Sequence, residues 1–474
     1  MLCVKGGVGM SGDNLCQAPV FGAQVEVAEL NGMRARLVSS QAPAHHVDQV
    51  TGKLVDLWEV VFADNNVLAA VERVKANKGA PGVDGVEVDD LDRFMAIHWS
   101  AVRARLDAGC YVPSPARQVL IPKSAGGTRR IGIPTVLDRV IQQAISQVLS
   151  PILDRGFAPT SFGFRPERSA HDGLRAARTA LDAGFVWVVE VDLSKYFDSV
   201  NHDMLMARVA RVVDDKRLLK LIRAYLKAGV LADGVVMSTG EGTPQGSPLS
   251  PLLSNVMLDD FDWWQFNKGV RSVRYADDIR VFARSKRSAE RAFEQASKYL
   301  EKTLKLKVNR DKSSIRPGGK AQFLGMGFYK TKHGFRFSLT SSTKQRFCAR
   351  LKELTGRSWS VEMSYRVDKI NQYVRGWLGY FWIAECRTFL RDVDQHVRRR
   401  LRQVCWKQWK RVRTRFRRLI GLGVDRGKAY EWANTSRSYW RISGSWVLTT
   451  TLTNQYWIDQ GLGSCVAFYD RKRL

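Results

Sequence analysis

Acidic residues are in short supply in this chain of 474. It carries 46 Asp and Glu against 75 Lys and Arg, a formal net charge of +29. A surface that basic attracts phosphate backbones through counterion release. Cysteine is sparse and scattered. Cys3, Cys16, Cys110, Cys348, Cys386, Cys405 and Cys465 include no Cys-x-x-Cys pair. This excludes a zinc ribbon and a disulfide framework and suits a reducing cytosol. No run of about 18 apolar residues exists, so no membrane span is expected. The first 45 residues lack the basic-then-apolar pattern of a signal peptide. Residues 1–50 are expected to be a poorly ordered extension, with Met10 and Met33 as alternative starts. No internal repeat is evident. At this length, with 45% hydrophobic residues, two to four domains have room for real cores.

What the chain does have is a carboxylate doublet in an informative setting. Arg271-Ser-Val-Arg-Tyr-Ala-Asp-Asp-Ile-Arg-Val-Phe-Ala283 alternates around Asp277 and Asp278 and reads as strand, tight turn, strand. Phe185 to Leu193 is a nearly continuous apolar run, as a buried strand requires, and near its end stands Asp192. An Asp at a strand end is ordinarily a cap, and an Asp-Asp pair is ordinarily a turn. Three carboxylates gathered from adjacent strands, however, offer the hard oxygens that magnesium prefers. Two such ions can clamp the attacking and leaving oxygens of a phosphoryl transfer. Elsewhere, periodicity predicts helix from about Leu54, broken by the Gly/Pro-rich stretch Asn77 to Gly85. It also predicts a hairpin over 118–134 turning at Gly126-Gly127, a helix from Asp138 and helix over 287–304. Between Arg398 and Arg418 stand eleven Lys or Arg and no Asp or Glu, with Trp406, Trp409 and Phe416 interleaved. That pattern predicts a helical region with one aromatic and one basic side.

The motifs follow one another in a familiar order. They are Ile121-Pro-Lys-Ser-Ala-Gly-Gly-Thr-Arg129, Ser161-Phe-Gly-Phe-Arg-Pro166, Val191-Asp-Leu-Ser-Lys-Tyr-Phe-Asp198, Thr243-Pro-Gln-Gly-Ser-Pro-Leu-Ser-Pro-Leu-Leu-Ser-Asn255, Tyr275-Ala-Asp-Asp278, Leu306 to Lys312, and Phe323-Leu-Gly-Met-Gly-Phe328. With them the chain resembles a bacterial group II intron-encoded reverse transcriptase and maturase. The resemblance implies an α+β right-hand polymerase with an antiparallel palm sheet, followed by an α-helical thumb or maturase domain. The implied divisions are N-terminal extension and fingers over 51–185, palm over 186–335 and basic thumb over 336–474. It implies RNA-directed DNA synthesis in which Asp192, Asp277 and Asp278 hold two Mg2+ ions. The primer 3′-hydroxyl would attack the α-phosphate of a deoxynucleotide and release pyrophosphate.

Further roles come from the same resemblance. Lys123 and Arg129 would grip the triphosphate, Phe197 would wall off a 2′-hydroxyl, and Gln245 would line the nucleotide site. Arg165, Gly246, Lys312, Phe323 and Gly325 would meet template or primer, and the loop Asn77 to Gly85 would close over the template. Asn371 to Phe381, Trp406 to Lys410 and Ala433 to Arg441 resemble the maturase region, with Trp377, Tyr380 and Phe381 expected in its core. Arg398, Arg399, Arg400, Lys407, Lys410 and Arg411 would face RNA, read by shape and backbone. The implied partners are group II intron RNA, an RNA template with a DNA primer or target, and deoxynucleotides; monomer and homodimer both stay open. Location is expected to be cytoplasmic and nucleoid-associated. His45, His46, His98, His171, His202, His333 and His396 form no nuclease cluster with the cysteines, so no HNH domain and no second-strand nicking are expected. A domesticated relative in phage defence, CRISPR adaptation or repair is the alternative. A non-catalytic splicing factor is another, and the intact acidic triad argues against it.

Overall fold

The computed structural model describes residues 46–47, 54–122, 127–232, 235–237, 242 and 246–474. Two compact units divide the chain, one up to Arg316 and the other Pro317–Leu474.

The first unit opens on two antiparallel strands, β1 (His46–Val47) and β2 (Leu54–Val55). The helix expected from Leu54 therefore starts later, at α1 (Leu57–Val61). Asp56 precedes it in the left-handed region (φ 57), which interrupts the helical run. Then come α2 (Asp64–Ala76), α3 (Leu91–Asp107) and the hairpin of β3 (Ala116–Pro122) and β4 (Thr128–Ile133). Helix α4 (Val136–Asp154) is capped by Thr135, whose Oγ1 accepts the Asp138 N–H at 3.1 Å. Helix α5 (Ala170–Asp182) starts with a capping box of Ser169 and Asp172. Next are β5 (Trp187–Val191), α6 (His202–Val209), α7 (Lys216–Lys227), β6 (Val230–Ala232), β7 (Val235–Met237) and α8 (Ser250–Asn267). The unit ends with β8 (Arg271–Tyr275), β9 (Asp278–Ala283), α9 (Lys286–Lys298) and β10 (Ser314–Pro317), the last strand reaching the division.

Among the described residues two four-stranded sheets result. One has the order β4-β3-β6-β7, with β3 and β6 parallel. The other, β10-β5-β9-β8, positions the site. In it β5 and β8 both run antiparallel to β9, with Val191 opposite Ile279 and Tyr275 opposite Asp278. Helix α9 packs on β5 and β9, while α5 and α8 pack on β8. Val189, Ile279 and Val281 are fully buried between these layers; each such side chain contributes about 1.5–3 kcal/mol.

The second unit begins with the antiparallel sheet β11 (Gln322–Phe323), β12 (Met326–Thr331) and β13 (Gly334–Leu339). Helices α10 (Ser341–Leu354), α11 (Met363–Phe381), α12 (Arg387–Gln408), α13 (Val412–Gly421) and shorter ones follow. The sheet is bonded to these helices. Thr343 Oγ1 donates to the Gly325 carbonyl at 2.8 Å, Tyr380 Oη to that of Leu324 at 3.0 Å and the Glu385 N–H to that of Phe337 at 2.9 Å. The division at Arg316 keeps this sheet with these helices. Phe347 stacks on Trp377 (4.0 Å), and Trp377 on Phe381 (4.6 Å), forming the aromatic spine of the unit. Among the described residues no helix is long and apolar enough to cross a membrane.

Candidate active site

Strands β8 and β9 turn through Ala276 and Asp277, with Ala276 in the left-handed region (φ 56). That conformation costs an alanine roughly 1 kcal/mol, and the surroundings impose it. The Arg274 side chain, 1% exposed, bonds to atoms of four residues around it. Its Nε donates to the two Asp262 oxygens at 3.0 and 2.8 Å, and its Nη2 to Asp262 and to Ser161 Oγ at 2.8 Å. Its Nη1 donates to Asn255 Oδ1 and to the Ala276 carbonyl, both at 2.9 Å. The Ser161-Phe-Gly-Phe loop runs alongside: the Phe162 N–H donates to the Arg274 carbonyl and the Arg274 N–H to that of Thr160, each at 2.9 Å. Gly163 lies so close to the turn that a Cβ there would fall 2.3 Å from the Ala276 nitrogen. Only glycine allows that approach.

Asp192 directly follows β5. Its N–H donates to Ser313 Oγ at 3.1 Å and its carbonyl accepts from the Asn309 N–H at 2.8 Å. The 309–313 loop so anchored brings Lys312 to the same place. A polar cavity of about 350 Å³ is lined by Glu190, Asp192, Asp277, Asp278, Arg280 and Lys312. Burial pushes the Asp278 carboxyl up, against the pull of the Arg280 guanidinium and with the push of Asp277. Among the described residues no three carboxylate, imidazole or thiol groups are close enough to hold a metal ion as they stand; Asp278 is ion-paired to Arg280 instead. The donor set still suits a hard divalent ion, because three carboxylates from adjacent strands face one cavity.

Asp277 also lines a second cavity, of about 530 Å³, with Arg129, Phe164, Phe197, Gly246 and Arg139. This is the size of a small-ligand site. Gly246 (φ 119) leaves no room for a side chain: a Cβ would lie 2.7 Å from the Gly132 carbonyl oxygen. Asn77 and Gly79 of the expected loop line the cavity too. Two arginines hold that loop in place. Arg139, only 9% exposed, donates from Nη2 to the Ala80 carbonyl at 2.9 Å, and Arg117 from Nε and Nη2 to that of Pro81 at 3.0 and 2.7 Å.

Of the residues singled out from sequence, Asp192, Asp277, Asp278 and Lys312 meet at the first cavity, and Arg129, Phe197 and Gly246 at the second. Lys123 and Gln245 lie outside the described residues. Arg165 is buried, its Nε bonded to Asp154 at 2.5 Å and its Nη1 to the Ala158 and Ser161 carbonyls at 2.7 and 3.0 Å, so it braces the loop below the hairpin. Phe323 is buried as well. It is 1% exposed in β11 and packs inward, with Gly325 in the turn that α10 holds. Three of the basic residues expected to face RNA are engaged internally. Arg399 lies 4.0 Å from the Trp440 ring centre, Arg400 Nε donates to Thr355 Oγ1 at 2.6 Å and Lys407 Nζ to the Arg357 carbonyl at 3.1 Å. Arg398 is half-buried, while Lys410 and Arg411 are exposed. Sequence reasoning missed Glu190, Arg280, Arg139, Gly163 and Arg274. For Arg274 the signal was an arginine inside an otherwise inward-facing strand.

Residues 121–328 match the family model for reverse transcriptase (RNA-dependent DNA polymerase), and residues 344–420 match that for the group II intron maturase-specific domain. Protein YkfC of Escherichia coli (strain K12) is 38% identical over 289 residues, covering 52% of this chain and 76% of YkfC. The group II intron-encoded protein LtrA of Lactococcus lactis subsp. cremoris is 33% identical over 224 residues, covering 47% of this chain and 37% of LtrA. A 91 kDa protein in the cob intron of Schizosaccharomyces pombe is 35% identical over 195 residues, covering 41% of this chain and 24% of that protein.

Proposed function

Because the chain belongs to the reverse transcriptase (RNA-dependent DNA polymerase) family and carries a group II intron maturase-specific domain, we propose that it copies a group II intron RNA into DNA and assists that RNA's splicing. One observation carries the polymerase half: Asp192, Asp277 and Asp278 line one cavity, and Asp277 is shared with the larger cavity beside it.

In this reading Asp192, Asp277 and Asp278 hold divalent ions, and Mg2+ is the fitting ion for an all-oxygen donor set. When bound, two such ions supply charge neutralisation at the attacking 3′-hydroxyl and at the leaving pyrophosphate. The larger cavity receives the deoxynucleotide. Phe197 meets the sugar from below, where a 2′-hydroxyl has no room, and Arg129 meets the triphosphate with a planar fork of donors. Gly246 lets the backbone run against the bound strand or nucleotide. The loop held by Arg117 and Arg139 covers the template side. In the second unit Lys410 and Arg411 present exposed cations to the intron RNA backbone.

Primer extension on an RNA template tests this. Asp277→Asn and Asp192→Asn are each expected to lose about a thousandfold in rate, the several kcal/mol that ion-held charge stabilisation supplies. Binding of intron RNA by the same variants is expected to stay within about twofold of the parent. Extension at the parent's rate by either variant would refute the assignment.

A further inference from the structure

Arg280 stands two residues beyond Asp278 on β9, directly opposite Glu190 of β5. Its side chain is 11% exposed. Nη1 is paired with an Asp278 oxygen and also donates to the Ile279 carbonyl at 3.0 Å. In this cavity four carboxylates, Glu190, Asp192, Asp277 and Asp278, face two cationic side chains, Arg280 and Lys312. Lys312 is exposed; Arg280 is 11% exposed and its partner Asp278 35%, so solvent and salt screen the pair only in part.

The pairing has a direct chemical consequence. An Asp278 oxygen engaged by a guanidinium has that lone pair occupied, and a divalent ion brought to the same oxygen meets a fixed positive charge at close range. Glu190 offers the guanidinium an alternative anchor. It is itself fixed, accepting from Ser314 Oγ at 2.9 Å and lying 3.8 Å from Arg316 Nε. It is also the residue facing Arg280 across the sheet.

We propose that Arg280 is a resident counter-ion of the carboxylate cavity: it holds Asp278 in the metal-free enzyme, must leave it toward Glu190 when a divalent ion binds, and thereby weakens ion binding. The inference rests on the reading of Asp192, Asp277 and Asp278 as the metal site. It makes Arg280 a positioning residue that sets how much metal the enzyme requires.

Titration of the full-length protein with Mn2+ alone, with the free ion followed by electron paramagnetic resonance, tests this without any turnover. Arg280→Gln and Arg280→Met are both expected to bind Mn2+ about tenfold more tightly than the parent, the effect of removing one nearby positive charge. Arg280→Lys, which keeps the charge, is expected to stay within about threefold of the parent. Circular dichroism identifies any variant that has not folded, and two neutral replacements guard against one failing. Equal or weaker Mn2+ binding by the folded neutral variants overturns the proposal, as does the absence of binding in all of them. Asp277→Asn in the parent and Arg280→Gln backgrounds separates the two readings. If it leaves Mn2+ binding unchanged, the metal-site assignment falls; if it abolishes binding while Arg280→Gln brings no gain, only the role of Arg280 falls.

Discussion

Phe197 and Asp277 border the same cavity, and in the proposed reading they constrain a substrate in different ways, the ring by volume and the carboxylate by charge. Phe197 is half-buried, with its ring edge-on to Tyr196 at 5.2 Å, so its position is fixed from behind. Phe197→Ala is expected to raise ribonucleotide incorporation relative to deoxynucleotide about ten- to hundredfold. The ratio of kcat/KM for the two nucleotides measures this, and an unchanged ratio would leave the ring a purely structural role. At this scale the aspartates were legible in the sequence because their motifs state residue type and spacing without tertiary information. Arg165 and Arg400 were not. Whether an arginine faces solvent or braces backbone depends on Asp154 and Ala158 in one case and on Thr355 in the other, and no local pattern reports such partners.

The hairpin of β8 and β9 is only as precise as what grips it. Gly163→Ala would push a methyl into the turn that carries Asp277. A displacement of about 1 Å at a reacting centre costs about a hundredfold in rate, so kcat is expected to fall by that order while RNA affinity stays unchanged. Arg274→Ala leaves Asp262 buried without its partner, and unfolding by denaturant is expected to show a loss of about 3–5 kcal/mol. A loss below about 1 kcal/mol would mean that water replaces the guanidinium. Long elements with a clear period were legible in the sequence: the strand before Asp192, the hairpin around the doublet and the helix that starts at Val136. The pairs β1–β2 and β6–β7 were not, because two or three residues carry no period and their partners set their conformation.

Charge is distributed unevenly over the whole molecule. Residues 317–474 hold 32 Lys and Arg against 10 Asp and Glu, so 22 of the 29 net positive charges belong to the second unit. Some of these cations brace its own helices, and the exposed remainder includes Lys410, Arg411, Arg413 and Arg417. Replacing these four by Ala is expected to flatten the plot of log affinity for intron RNA against log salt by about 0.7 for each phosphate no longer neutralised. Filter binding across a salt series measures that slope, and an unchanged slope would move the RNA surface elsewhere. DNA synthesis on a short primed template, by contrast, is expected to survive the quadruple change.

The parallel pairing of Ala116 with Val230 in the β4-β3-β6-β7 sheet also governs the order in which the protein can mature. The ribosome releases β3 and β4 long before β6, and everything from α4 to α7 emerges in between. Until then this sheet has an open edge beside β3, a ready surface for wrong pairing with another nascent chain. The strand that Asp192 follows therefore leaves the ribosome before the sheet that bears Arg129 can be completed. Long-range closure of this kind is slow, so yield in the cell is expected to depend on how well that edge is shielded during synthesis.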